Sequence, residues 1–211
     1  MLALADTDEK LRAAHALQAA IARCLGRAIW SAIAIAALMC ASAAVNAAPL
    51  RIVAIGASNT HGWYVGNQGA YPAQLQALLR AKGIDAQITN AGVPFETTGM
   101  MLRRIEKDVP DGTNIVILEP GGNDRRFFVS RERRAANIAE MERRLQARSI
   151  SVIVYDEEMP LRYRAFDLIH FSHEGHAVIA AALLPRVMEI LDRRRSDGPR
   201  RRNAPRPAPT R

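Results

Sequence analysis

Cysteine is scarce in this sequence. The chain has 211 residues and two cysteines, Cys24 and Cys40, and both lie within the first 47 residues. The region from residue 48 onward therefore contains no thiol, which excludes a cysteine nucleophile, a thiolate zinc site and a disulfide framework there. His170, His173 and His176 are spaced by three, but no acidic or cysteine partners accompany them, so we expect no metal site.

Basic charge is also missing from most of the chain. The net charge is +8, yet residues 193–211 hold eight Arg and one Asp, whereas residues 48–192 hold seventeen basic and seventeen acidic residues. The basicity is thus a property of the tail and does not indicate a specific nucleic-acid partner. The Arg- and Pro-rich segment 196–211 has almost no apolar residues and is predicted to be disordered. Its default role is solubility; the alternative is unspecific, salt-sensitive contact with an anionic envelope surface.

The first 47 residues have the pattern of an export segment. Arg23 and Arg27 precede an apolar run over residues 28–45, and small residues at 45–47 occupy the positions typical of a cleavage site. We expect cleavage after Ala47 or Ala48, although a run of about eighteen residues is also just long enough for a membrane anchor. Both interpretations predict that the domain is exported, as a bacterial periplasmic or secreted protein.

Residues 48–195 alternate between short apolar runs and helical patterns, which predicts a single α/β domain with a parallel sheet. We predict four strands (50–55, 86–90, 114–119 and 151–155) and four helices (71–82, 98–109, 132–148 and 173–193). In such sheets, ligands bind beyond the carboxyl ends of the strands. Ser58 and the segments 90–96 and 121–124 each follow a predicted strand, so we expect them to lie at one edge of the sheet.

Three short motifs carry the chemistry. Gly56-Ala57-Ser58 places a serine at a strand-to-helix turn, where it would be a nucleophile or, more commonly, a helix N-cap. Gly121-Gly122-Asn123-Asp124 allows close backbone approach and provides an amide donor for an oxyanion; the alternative is a glycine turn held by polar side chains. Asp167-Leu168-Ile169-His170 places a carboxylate where it can orient an imidazole.

In this order the motifs resemble those of the SGNH (GDSL-type) hydrolases, over about residues 51–191. The resemblance implies a three-layer, flavodoxin-like α/β fold and a catalytic triad of Ser58, His170 and Asp167. It further implies an oxyanion hole formed by the Ser58 N–H, the Asn123 amide and a backbone N–H between Gly92 and Phe95. Such an enzyme cleaves carboxylic esters through an acyl-enzyme without a cofactor, and its substrates would be small-molecule or glycan esters.

The sequence departs from the family pattern in three ways. Ala57 replaces the usual Asp of the first motif, and Phe95 stands where the second motif has an oxyanion-hole glycine. Only about forty residues separate Asn123 from Asp167, which leaves no room for a fifth strand and its helix, so we expect about four strands and an open site. Two alternatives use the same residues: a carbohydrate O-acetyl esterase or acetyltransferase acting on envelope glycans, and a catalytically weak, SGNH-like binding protein.

The residues next to these motifs are candidates for substrate contact. His61 and Trp63 follow the serine turn and would line an acyl or aryl pocket; an exposed loop is equally consistent with the sequence. Arg125 would attract an anionic group of the substrate, although a solvated position is the simpler interpretation. The sequence does not indicate an oligomeric state.

Overall fold

The computed structural model describes the backbone of residues 48–202. It contains four strands, β1 (Leu50–Gly56), β2 (Ala86–Gly92), β3 (Ile115–Glu119) and β4 (Ser151–Val154). All neighbouring strands are parallel, in the order β2-β1-β3-β4. The four-stranded parallel sheet is therefore confirmed. The predicted export segment 1–47 and the tail residues 203–211 lie outside the described residues.

Helices separate and cover the strands. They are α1 (Ser58–His61), α2 (Gly66–Gly69), α3 (Tyr71–Ala81), α4 (Thr98–Asp108), α5 (Asn123–Arg126), α6 (Arg131–Ala147) and α7 (His173–Arg202), with a 3-10 turn at Leu161–Tyr163. Within residues 48–202, none of them is long and apolar enough to cross a membrane.

Helix α7 extends further than its sequence predicts. We predicted its end at residue 193 and disorder from residue 196, whereas the helix continues to Arg202. Just beyond the predicted end, the Arg194 guanidinium donates to the carbonyl oxygen of Asn114 (2.6 Å) and to the Ser151 hydroxyl (3.1 Å). These bonds fasten the helix beside the amino ends of β3 and β4.

The sheet is the middle of three layers. Every residue of β3 is buried, because both faces of a parallel sheet are covered by helices. On one face the core includes Leu75 of α3 and Leu183 of α7. On the other face it includes Met101 of α4 and Met141 of α6. Burial of these apolar side chains is the main source of the stability of this fold.

The strand register brings the motif-bearing segments together. Gly56 at the end of β1 pairs with Gly92 on β2 and with Glu119 on β3. All three residues therefore lie at the carboxyl edge of the sheet. A Cβ at Gly56 would collide with the Thr60 side chain, so only glycine permits the tight turn that leads from β1 into α1.

Candidate active site

Ser58 is the first residue of helix α1, directly after the turn that follows β1. The residue at the N-cap position is Ala57, and no side chain caps this helix. The Ser58 hydroxyl instead lies 3.0 Å from Nε2 of His170. The alternative role of Ser58 as a helix N-cap is therefore not the one adopted here.

His170 is held on its other side by Asp167. Nδ1 of His170 lies 2.5 Å from Oδ2 of Asp167, while Oδ1 of Asp167 accepts hydrogen bonds from the N–H groups of Ile169 and His170, both at 3.0 Å. Partial burial opposes ionisation of this carboxyl, but the hydrogen bonds outweigh it and lower the pKa of Asp167 below its usual range. An ionised Asp167 favours the proton on Nδ1, which leaves Nε2 free to accept the Ser58 hydroxyl proton.

The loop that carries this pair is tied to the serine helix. It lies between the 3-10 turn and α7, and an antiparallel bridge joins Arg164 to Phe171 across it. The N–H of Phe171 donates to Oδ1 of Asn59 at 3.1 Å. Because Asn59 directly follows Ser58, this bond couples the position of His170 to that of the serine.

The candidate oxyanion donors differ in their availability. Asn123 begins helix α5, and its side-chain amide donates one hydrogen bond to the carbonyl oxygen of Glu96 at 2.9 Å, which leaves its second amide hydrogen. The Gly92 N–H donates to Oδ1 of Asn90 at 3.0 Å, so it is already engaged and the predicted Gly92 donor needs correction. Glycine is required there for packing, since a Cβ would collide with the backbone of His61.

Phe95, which stands where the family motif carries glycine, has a left-handed backbone conformation. Its φ is +67°, in the left-handed region that side chains other than glycine rarely adopt. Its ring is 56% exposed and packs edge-to-face on Trp63 at 5.7 Å. Within residues 48–202, neither its N–H nor that of Ser58 donates a hydrogen bond, so both are free to bind an oxyanion.

Of the three residues predicted to contact substrate, one adjoins His170. The Trp63 indole stacks on the imidazole, with ring centroids 5.5 Å apart and planes 17° apart. His61 and Arg125 are both exposed. Among the described residues, no hydrogen bond joins either side chain to Ser58, His170 or Asp167, and their contact with substrate stays a prediction.

Sequence reasoning missed a buried polar network beneath the serine turn. The Thr60 hydroxyl donates to the Glu119 carboxylate (3.0 Å) and lies 3.2 Å from the Tyr71 hydroxyl. All three residues are buried. Burial raises the pKa of Glu119 to about 7, and it raises that of Tyr71 above its usual range. The signal in the sequence was a carboxylate at the end of an apolar strand, followed by Pro120 and the glycine turn.

A second missed set fastens the loops that follow β2 and β3. Asp124 is buried and accepts hydrogen bonds from the backbone N–H (2.9 Å) and hydroxyl (2.6 Å) of Thr98. Arg104 binds Glu96 at 2.6 Å, and it also donates to the carbonyl oxygen of Gly56 at 3.3 Å. These contacts position the segment from Gly92 to Thr98 against the serine turn.

The three evenly spaced histidines do not converge. His170 faces Ser58, whereas His176 is buried and its Nδ1 accepts the N–H of Tyr71 at 3.2 Å. Burial, followed by the charge of His173, lowers the pKa of His176 to about 4. No cluster of three or more metal-ligating side chains occurs in residues 48–202.

Comparisons with known proteins show which family the chain resembles. The structure is similar to AlinE4, an SGNH-hydrolase family esterase, with a TM-score of 0.50 and 26% identity over 78% of this chain and 88% of that one. It is also similar to the psychrotrophic esterase EstA from Pseudoalteromonas sp. (TM-score 0.60, 15% identity, 68% and 99% of the two chains). A third similar structure is the acetyl xylan esterase AlAXEase, with a TM-score of 0.55 and 17% identity over 65% of this chain and 99% of that one. The latter two likenesses concern the fold alone.

No curated protein matches the sequence significantly. The profile of the GDSL-like lipase/acylhydrolase family, in contrast, matches residues 54–164, which is more than half of the chain. The match includes the serine turn, the segment after β2 and the glycine turn after β3. The chain therefore belongs to the GDSL-like lipase/acylhydrolase family, with the SGNH hydrolase fold, and is an ester hydrolase.

Proposed function

We propose that the protein hydrolyses carboxylic esters through an acyl-enzyme formed on Ser58. One observation carries this proposal: a continuous line of hydrogen-bond distances runs from Asp167 Oδ2 to His170 Nδ1 (2.5 Å) and from His170 Nε2 to Ser58 Oγ (3.0 Å). This is the arrangement in which an imidazole removes the proton of a serine hydroxyl as the oxygen attacks a carbonyl.

The chemistry follows in two halves. Ser58 Oγ attacks the ester carbonyl and His170 takes its proton, while the resulting oxyanion accepts hydrogen bonds from the N–H groups of Ser58 and Phe95 and from the Asn123 amide. His170 then returns the proton to the departing alcohol. In the second half, His170 removes a proton from water, which attacks the acyl-enzyme and releases the acid. Throughout, the Asp167 carboxylate stabilises the imidazolium form of His170.

The test is hydrolysis of p-nitrophenyl butyrate by purified residues 48–211. We expect Ser58→Ala to lower kcat by at least ~10³-fold with an unchanged melting temperature, because the nucleophile is lost and the fold is not. Ser130→Ala serves as the control, since Ser130 caps helix α6 and is not part of the site. Unchanged turnover in Ser58→Ala would overturn the proposal.

A second candidate is release of acetate from acetylated glycans. It is favoured by the likeness of the fold to the acetyl xylan esterase. Acetate released from acetylated xylan, compared with turnover of p-nitrophenyl butyrate, separates the two candidates. Failure of a fluorophosphonate probe to label Ser58 in the folded protein would favour the binding-protein alternative instead.

We also propose that the enzyme works after export, as a periplasmic or secreted protein. The support is the arginine-flanked apolar segment before residue 48. Expression of the full chain in a bacterial host, followed by N-terminal sequencing, should give a mature protein that begins at Ala48 or Pro49. Retention of Met1 on a membrane-bound protein would indicate an anchor instead.

A further inference from the structure

Aromatic rings form a continuous row around His170. Phe95 packs on Trp63 (centroids 5.7 Å apart), and Trp63 stacks on the imidazole at 5.5 Å. Tyr64 packs edge-to-face on Trp63 at 6.2 Å, meets the imidazole edge-on at 5.5 Å and contacts Phe166 at 4.9 Å. We call Trp63, Tyr64, Phe95 and Phe166 the aromatic row. Its members come from three separate segments that meet at the carboxyl edge of the sheet.

The row leaves large apolar surface in water. Tyr64 is 55% exposed, Phe95 56% and Phe166 84%. The neighbouring side chains Leu168 and Ile169 are also mostly exposed. The chain contains only 5% aromatic residues, yet four of them gather beside Ser58. Contiguous exposed apolar surface of this kind typically marks a binding site, because leaving it in water is unfavourable.

The backbone is strained where it presents two of these rings. Tyr64 has φ +69° and Phe95 has φ +67°, a conformation that is unfavourable for a residue with a Cβ. Phe95 also stands at the position where the second motif of the family has glycine. Strain of this kind persists where the surrounding structure enforces it, and it is concentrated at functional sites.

We propose that the aromatic row binds the alcohol part of the ester substrate, so that aryl esters are preferred over esters of small alkyl alcohols. This inference rests on the proposed function of Ser58. Trp63 is partly buried between Phe95 and the imidazole and supports the row, while the exposed faces of Tyr64, Phe95 and Phe166 contact the substrate. Aromatic faces suit such a ligand because ring pairs add to the free energy of apolar burial.

The experiment compares two esters with the same acetyl group, phenyl acetate and ethyl acetate, in a pH-stat assay. For the wild type we expect a kcat/KM ratio that favours phenyl acetate beyond the ratio of the two alkaline hydrolysis rates. We expect Phe166→Ala and Phe95→Gly each to reduce this enzymatic preference by about tenfold, mainly through KM, since each variant removes a ring that would be buried against the phenyl group.

Phe128→Gly is the matched control. Phe128 is also an exposed phenylalanine with a left-handed backbone (φ +58°), but its ring is not part of the row. The control should leave the preference unchanged. Equal losses on both esters in Phe166→Ala and Phe95→Gly would overturn the inference, as would an unchanged preference.

Labelling by a fluorophosphonate probe distinguishes the two proposals. If Ser58 is labelled and both esters are hydrolysed without a preference that depends on the row, the assignment of the row fails and the proposed function stands. If Ser58 is not labelled and neither ester is hydrolysed, the proposed function fails, and the inference fails with it.

Discussion

The two sides of helix α1 differ in how they are built. On the open side, Ser58 and the aromatic row face solvent, and His170 comes from a loop. On the buried side, Thr60 is enclosed with Glu119 and Tyr71, and its hydroxyl lies within hydrogen-bond distance of both.

The two sides of the helix have different roles: the buried side holds the serine turn in place, and the open side presents groups to the substrate. A buried, hydrogen-bonded network holds its members in one arrangement, because leaving any of them unpaired in a low-dielectric interior is costly. The open side can then expose strained and apolar groups to a substrate without losing the position of the serine. The buried side therefore provides the rigidity that Ala57, which lacks the usual carboxylate of the family, does not supply.

The largest expected effect lies on the open side. Asp167→Asn should lower kcat for p-nitrophenyl butyrate by roughly 10³–10⁴-fold, because the amide favours the tautomer of His170 whose Nε2 carries the proton. The melting temperature should change little, since the side-chain oxygen still accepts the N–H groups of Ile169 and His170. Kinetics and thermal unfolding measure the two effects. Asp111→Asn, at an exposed ion pair with Arg148, is the control, and equal losses in both variants would contradict the assignment.

The next effect lies on the buried side and depends on pH. The pKa of Glu119 is about 7 in the folded protein, because the carboxyl is buried, and near the ordinary value of 4.5 in the unfolded chain. Between these values the folded state binds more protons, so stability falls as pH rises from 4.5 through 7. Relative to Glu119→Gln, the wild type should lose about 3 kcal/mol of unfolding free energy over this window.

Urea unfolding at pH 4.5 and pH 8 measures this difference. Glu158→Gln, which removes an exposed carboxylate, controls for the change in net charge and should not change the pH dependence. If the unfolding free energies of wild type and Glu119→Gln changed by the same amount between pH 4.5 and pH 8, Glu119 would not have a raised pKa in the folded protein. The buried side would then not differ from the open side in this electrostatic respect.

The smallest expected effect tests strain on the open side. Phe95→Gly and Phe95→Ala both remove the ring, so the difference between them reports the left-handed backbone. Phe95→Gly should be more stable than Phe95→Ala by about 1 kcal/mol, because glycine adopts positive φ at little cost. At Phe166, which does not have positive φ, alanine should be at least as stable as glycine. The same order at both positions would rule out strain at Phe95.

The fold was largely predictable because its signals are local. Apolar runs and helical spacing gave the four strands and four main helices to within a few residues, apart from the end of α7. That end was missed because the contacts of Arg194 with Asn114 and Ser151 join segments far apart in the sequence. For the candidate site, the motifs indicated Ser58, Asn123, Asp167 and His170. The spacing of apolar residues could not predict the hydrogen bond between Thr60 and Glu119, because that bond depends on the register of β1 with β3.

The sequence by itself determined the family, the order of the elements and the short sheet, because these follow from motifs and patterns that neighbouring residues carry. Only the tertiary structure decided which donors stay free. In the described residues the Gly92 N–H donates to Asn90, whereas the Phe95 N–H donates no hydrogen bond. The tertiary structure also joined Phe95 and Phe166 into one row around His170. The physical reason is that parallel strands bring segments distant in the sequence to one edge of the sheet, where close packing settles which side chains touch.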